Sequence, residues 1–225
     1  MKRLIITIDG PAGAGKTTVS KILAGRLGYI YVDTGALYRG VALEAMAAGL
    51  RPDDDAGLEK LCSSLQLKLL PGEQGLRLFS GSTDITDQIR TPEVTMFASA
   101  ASARPVVRKY LLGLQRDLAR HKGVVFEGRD MGTVVFPHAD VKFYLDAAPK
   151  IRAYRRYREL AAKTSQTIDE VERDMERRDR NDSARKLAPL KPAQDALKID
   201  STDITTEAVV EKMLGVIKGT LQYPD

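Results

Sequence analysis

Residues 10–17 read Gly-Pro-Ala-Gly-Ala-Gly-Lys-Thr, a G-x-x-x-x-G-K-T string in which every fixed position has a chemical use. The glycines let backbone N–H groups turn inward around phosphate oxygens. The helix expected to follow adds its own unpaired N–H groups and the positive end of its dipole. Lys16 is placed to reach the β- and γ-phosphates of a nucleoside triphosphate, and the Thr17 hydroxyl to coordinate Mg²⁺. An apolar run precedes the string and a helical pattern follows it, so a chance glycine turn is the poorer reading. The residues expected to cradle the phosphates are Gly10, Ala12, Gly13, Ala14, Gly15, Lys16, Thr17 and Thr18.

Arginines supply the next chemistry. Arg39 follows an apolar run ending at Asp33, and Arg129 follows another ending at Glu127. In an open α/β sheet, ligands sit beyond the carboxyl ends of the strands. Guanidinium forks placed there can grip a second phosphate in bidentate fashion. Each arginine alone could be an ordinary surface residue, but Arg178, Arg180 and Arg185 add to the set and point to phosphoryl transfer. Such a reaction needs no catalytic base when the acceptor is itself a phosphate, because its oxygen is already anionic. The protein must align two repelling phosphate groups and screen their charge. His121 and His138 are therefore read as surface or structural residues. Glu127 either orients a Mg²⁺ shell through water or is a buried, capped carboxylate.

These residues need a scaffold, and the patterning provides one. Five β-rich runs (Leu4–Asp9, Tyr29–Asp33, Val124–Glu127, Val141–Leu145 and Leu197–Asp200) alternate with amphipathic helices, the first from Lys16 to Leu27. That alternation argues for a parallel, doubly wound α/β sheet. Residues 66–90 depart from it, alternating apolar and polar with period two around Pro71-Gly72 and Gly81-Ser82; they read as a small antiparallel insert. Residues 150–186 are dense in arginine, and Thr167 with Glu170 is spaced as a capping box. Asp53-Asp54-Asp55 reads as a solvated loop.

Composition bounds the rest. The 225 residues carry 35 Lys+Arg against 30 Asp+Glu, a net charge of +5 that suits an anionic partner without naming it. Cys62 is the single cysteine, which excludes an internal disulfide and a multi-cysteine zinc site. There is no secretory core and no apolar run of membrane-spanning length, so a soluble, cytoplasmic protein is expected. A guanine-specific switch is disfavoured: it needs an N-K-x-D element, and the only asparagine is Asn181, followed by Asp182.

Taken together, Ile8-Asp-Gly-Pro-Ala-Gly-Ala-Gly-Lys16, Asp33-Thr-Gly-Ala-Leu-Tyr-Arg39, Arg104-Pro-Val-Val-Arg108, Gly128-Arg-Asp-Met-Gly-Thr133 and Arg178-Arg-Asp-Arg-Asn-Asp-Ser-Ala-Arg185, running into Ala188-Pro-Leu190, closely resemble bacterial cytidylate kinases over the whole chain. The resemblance implies a P-loop nucleoside monophosphate kinase fold: a five-stranded parallel sheet flanked by helices, a small β insert and a short lid. It implies core segments at 1–65, 101–152 and 168–225, a monophosphate-binding insert at 66–100 and a lid at 153–167. It further implies transfer from ATP with Mg²⁺ to CMP or dCMP, by a monomer with no nucleic-acid or membrane partner. On the family pattern Arg39, Arg129 and Arg185 hold the CMP phosphate, with Lys16, Arg129 and Arg185 as the catalytic set. Ser99, Arg108 and Asp130 read cytosine, Arg178 and Asp182 meet the ribose, and Thr34 stands where many members carry serine. Arginines near Arg152, Arg155 and Arg156 resemble those that close over ATP.

The cytosine edge supports this, since a carboxylate can accept from the amino group while a guanidinium donates to N3 or O2. Without the resemblance, Asp130 could equally cap a helix and Arg108 could lie on a solvated face. Two rivals remain at this level. A small-metabolite kinase, for example of shikimate, shares the loop and arginine lid but does not need the β insert. An RNA-binding ATPase would use the basic stretch at 150–186, against which stands the lack of tryptophan for base stacking.

Overall fold

The computed structural model describes residues 3–73, 75–161 and 166–222. In chain order, β1 (Ile5–Asp9) leads to α1 (Lys16–Leu27), β2 (Ile30–Asp33), α2 (Thr34–Ala47) and α3 (Asp55–Ser64). Then come β3 (Leu67–Gly72), β4 (Gly75–Ser80), β5 (Thr83–Asp84), α4 (Pro92–Ala101) and α5 (Pro105–Leu118). The chain ends with β6 (Val124–Gly128), β7 (Val141–Asp146), α6 (Pro149–Leu160), α7 (Ile168–Ala184), β8 (Leu197–Asp200) and α8 (Thr206–Gln222). Two compact units emerge, one formed by Met1–Tyr31 with His121–Asp225 and one by Val32–Arg120.

The expected sheet runs in the order β2-β6-β1-β7-β8, and β6, β1, β7 and β8 lie in the first unit. β1 lies between β6 and β7 and is parallel to both. A strand buried on both faces must be apolar at nearly every position, and Ile6 and Ile8 are fully buried with Val125, Phe143 and Leu145 from its neighbours. α1 and α8 cover the sheet through Leu23, Val210, Met213 and Ile217. The sheet thus holds rigid the point where β1 releases the phosphate loop.

The second unit has its own core, in which Leu37 and Val41 of α2 pack with Leu58, Leu78, Ile89, Val107 and Leu111. Its three-stranded sheet β3-β4-β5 is the expected insert, with Leu69 opposite Leu78 in an antiparallel pair. The acidic run is exposed at Asp53 and Asp55, as expected of a solvated loop, but it also starts a helix. Asp54 accepts from the Gly57 amide at 3.0 Å and caps α3, while Asp55 opens that helix and pairs with Arg104. A helix start leaves unpaired N–H groups, and a short carboxylate satisfies one of them.

The capping box is present: Thr167 accepts from the Glu170 amide and the Glu170 carboxylate accepts from the Thr167 amide, starting α7. Of the expected lid at 153–167, residues 162–165 lie outside the described residues. Among the described residues no helix is long and apolar enough to cross a membrane.

Candidate active site

The phosphate loop leaves β1 at Asp9 and enters α1 at Lys16. Its first glycine is required by close approach: a Cβ on Gly10 would lie 1.9 Å from the Leu145 carbonyl oxygen of β7. Gly13 is required likewise, since a Cβ there would meet the Arg152 carbonyl oxygen at 2.6 Å, at a φ of +72°. Inside the loop Lys16 is buried and its Nζ donates to the Pro11 carbonyl at 2.6 Å. Burial, reinforced by the charge of Arg129, pushes the Lys16 pKa down to about 7. Next to it, burial pushes Asp9 up to about 6, against two backbone N–H bonds that favour its charged form. A phosphate anion beside Lys16 supplies the charge that would restore its ammonium.

Thr17 and Glu127 stand in contact at the end of the loop. The Thr17 hydroxyl donates to Glu127 Oε1 at 2.9 Å, and the Tyr31 hydroxyl donates to Oε2 at 2.6 Å. A hydroxyl and a carboxylate at the mouth of a phosphate loop are hard oxygen donors of the kind Mg²⁺ takes alongside phosphate oxygens and water. The donor set therefore fits that ion. Among the described residues there is no cluster of three or more His, Cys, Asp or Glu side chains that could hold a metal without such help.

Beyond β6 the arginines converge. Arg129 Nε donates to Asp182 Oδ2 at 3.0 Å, and Arg185 donates to Asp182 Oδ1. Burial alone would raise the Asp182 pKa, but Arg129, Arg185 and Arg178 together hold it below the usual carboxylate range. Asp130, between Arg129 and Met131, is buried at 2 % exposure. It does not cap the helical turn that follows it; the carboxylate that receives the Met131 and Gly132 amides is Asp9.

In the second unit Arg39 donates to Asp33 Oδ2 at 2.7 Å, and Asp33 also caps α2 through the Ala36 amide. Arg39 Nε is buried and has no hydrogen-bond partner among the described residues. Thr34 and Ser99 are buried. Arg108 Nη1 donates to the Ser102 carbonyl at 3.2 Å and its guanidinium lies 5.8 Å from the Tyr38 ring centroid. His121 and His138 are both exposed, in line with their reading as surface residues.

With this arrangement in view, the family model for cytidylate kinase matches residues 6–219. The chain belongs to the cytidylate kinase family. Membership makes it a nucleoside monophosphate kinase. The cytidylate kinase of Geobacter sulfurreducens is 50% identical over 216 residues, covering 96% of this chain and 93% of the relative. That of Citrifermentans bemidjiense is 48% identical, covering 99% and 96%. Among solved structures, an uncharacterized protein from Eubacterium ventriosum shares the fold at a TM-score of 0.53 with 11% identity, over 96% of this chain and 99% of the other.

For a member of the cytidylate kinase family, the arginines of α6 are unequal. Arg152 is buried, donating to the Ala147 carbonyl at 2.9 Å, the Ala12 carbonyl at 3.1 Å and Asp179 at 2.5 Å, so it braces the phosphate loop from its carbonyl side. Arg155 donates to the hydroxyl and carbonyl of Ser201 at 3.0 and 2.7 Å, and that hydroxyl bonds the Ala14 carbonyl at 3.2 Å. Arg156 pairs with Glu159 at 3.0 Å, near solvent. Sequence reasoning did not single out Asp9, Tyr31 or Ser201. Asp9 gave a signal all the same, as a carboxylate closing an apolar strand directly before a glycine loop.

Proposed function

We propose that this chain transfers the γ-phosphoryl group of ATP to CMP, and to dCMP, giving CDP or dCDP and ADP. The observation that carries this reading is the pairing of β1 with β6, Asp9 opposite Gly128. It makes the phosphate loop and the Arg129-Asp130 segment leave the sheet side by side.

The acceptor phosphate is already anionic, so the enzyme's task is alignment and charge stabilisation rather than proton removal. Lys16 stabilises the charge that develops on the transferring group, with the loop amides of Gly10–Thr18 around the triphosphate and Arg155 and Arg156 on its outer side. Arg39, Arg129 and Arg185 hold the CMP phosphate; the buried Nε of Arg39, which has no hydrogen-bond partner among the described residues, supports its share of that work. Ser99, Arg108 and Asp130 read cytosine, Arg178 and Asp182 meet the ribose, and Thr34 adds a hydroxyl. Mg²⁺, held through Thr17 with Glu127, would neutralise charge on the β- and γ-phosphates. The division into core, an insert at 66–100 and a lid at 153–167 belongs to the same proposal, as does a cytoplasmic location, where these nucleotides are found.

The test is ADP release with ATP and Mg²⁺ over a panel of CMP, dCMP, UMP, AMP and shikimate. CMP should give the highest kcat/KM. A preference for shikimate, or for no monophosphate above background, would overturn the reading.

A further inference from the structure

Asp9 is the last residue of β1 and is 3 % exposed. Its Oδ1 accepts from the Met131 amide at 2.9 Å and its Oδ2 from the Gly132 amide at 2.7 Å. Its backbone pairs with Gly128, the last residue of β6. Arg129 and Asp130 are thus the two residues strung between a ladder pair with Asp9 and two hydrogen bonds to the Asp9 carboxylate. Burying a carboxylate is costly, and here both its oxygens go to amides of one turn. A side chain with two equivalent acceptors is needed, since an asparagine would set its NH₂ against one of those N–H donors.

We propose that Asp9 is a positioning residue for the acceptor site: by fixing the Met131 and Gly132 amides it sets where Arg129 and Asp130 stand, and so sets affinity and base choice for the monophosphate. This rests on the reading of Arg129 and Asp130 as the groups that meet CMP. The competing role is electrostatic, because Lys16 is also close enough to feel the Asp9 charge. Lys16 donates instead to the Pro11 carbonyl.

Two variants attack the contact from opposite sides. Asp9→Asn removes one acceptor. Gly132→Ala keeps the carboxylate but brings a Cβ to 3.1 Å from Thr7 Oγ1 and 3.4 Å from Asp9 Oδ2, crowding the same amide. If Asp9→Asn does not fold, Gly132→Ala carries the test.

Steady-state kinetics with CMP and UMP should show the CMP KM raised at least ~10-fold and the CMP/UMP ratio of kcat/KM narrowed, with the ATP dissociation constant within about twofold of wild type. In a cycle with Asp130→Asn, the double variant should lose no more discrimination than Asp130→Asn alone, because Asp9 acts through that residue. Additive losses would overturn the proposal. So would a weakened ATP constant with an unchanged CMP KM, which assigns Asp9 to Lys16. Asp130→Asn measured alone separates the two claims. No change in the ratio there sinks the reading of the base site. A change there, with none in Asp9→Asn or Gly132→Ala, sinks the positioning role.

Discussion

Arg129 Nε and Asp182 Oδ2 lie 3.0 Å apart, joining the end of β6 to α7 across a separation of 53 residues. Asp182 is 1 % exposed, and Arg185 occupies its other oxygen. Removing one partner of a buried pair leaves the remaining charge uncompensated, at a cost of about 3 kcal/mol. Asp182→Asn should lose stability of that order at pH 7, measured by urea unfolding.

The same pair gives a pH signature. The folded-state pKa of Asp182 is depressed, through Arg129, Arg185 and Arg178. Its contribution is therefore present above the ordinary carboxylate range and is lost as pH falls through the lower folded value. Wild type should lose stability below about pH 4 more steeply than Asp182→Asn. Parallel curves in that window would show that the pair carries no net charge coupling.

With Lys16 in the proposed triphosphate site, nucleotide binding should be proton-linked. With a pKa pushed down to about 7, the free protein carries little Lys16 ammonium at pH 8. A triphosphate seated beside it favours the charged form, so binding at pH 8 should be accompanied by proton uptake. Calorimetric titration with ATP in two buffers of different ionisation enthalpy reads this as a difference in observed heat. Lys16→Met should abolish the difference. Equal heats for the wild type would mean that Lys16 is already charged.

On the proposed function, the same side chain should govern turnover. Lys16→Ala should remain folded by circular dichroism but lose about 3–4 kcal/mol of transition-state stabilisation, by analogy with other electrostatic stabilisers. Retention of more than about a tenth of wild-type kcat, a loss under about 1.4 kcal/mol, would count against the loop's assigned role.

Asp54 offers a test away from the chemistry. It caps α3 through the Gly57 amide, and losing such a cap costs about 1 kcal/mol. Asp54→Ala should lower the thermal midpoint while leaving kcat/KM for CMP at the wild-type value. An unchanged midpoint would return the acidic run to the solvated loop that its composition suggests.

What could be read in advance follows from how local each signal is. The phosphate loop was legible because residues 10–17 carry strand exit, glycines, lysine and hydroxyl in one string, and Arg129 because it stands two residues past an apolar run. The α3 cap was hidden among three consecutive aspartates, any of which suits a loop. Asp9 was not assigned, because its partners lie 122 and 123 residues away and are defined only once β1 and β6 pair in register. The reach of Arg152 to the Ala12 carbonyl, across 140 residues, was beyond sequence for the same reason. In an arginine-rich helix the buried member looks like its solvated neighbours until α6 packs on α7.

Base choice gives the last prediction. On the proposed reading, Asp130, which is buried, meets the base as a carboxylate that can only accept, and so would suit the cytosine amino group and repel uracil O4. An asparagine amide can donate to O4 or, turned over, still accept from the amino group. Losing a charge-assisted bond to CMP should cost roughly 1.5–3 kcal/mol. Relief of the clash with UMP works in the opposite direction. The ratio of kcat/KM values should therefore narrow by at least ~10-fold in Asp130→Asn, equivalent to about 1.4 kcal/mol, while ATP affinity stays near wild type. Initial rates for CMP and UMP in both proteins, at saturating ATP, decide the matter. If both values fall together with the ratio unchanged, the Asp130 side chain is structural and cytosine is recognised by other groups.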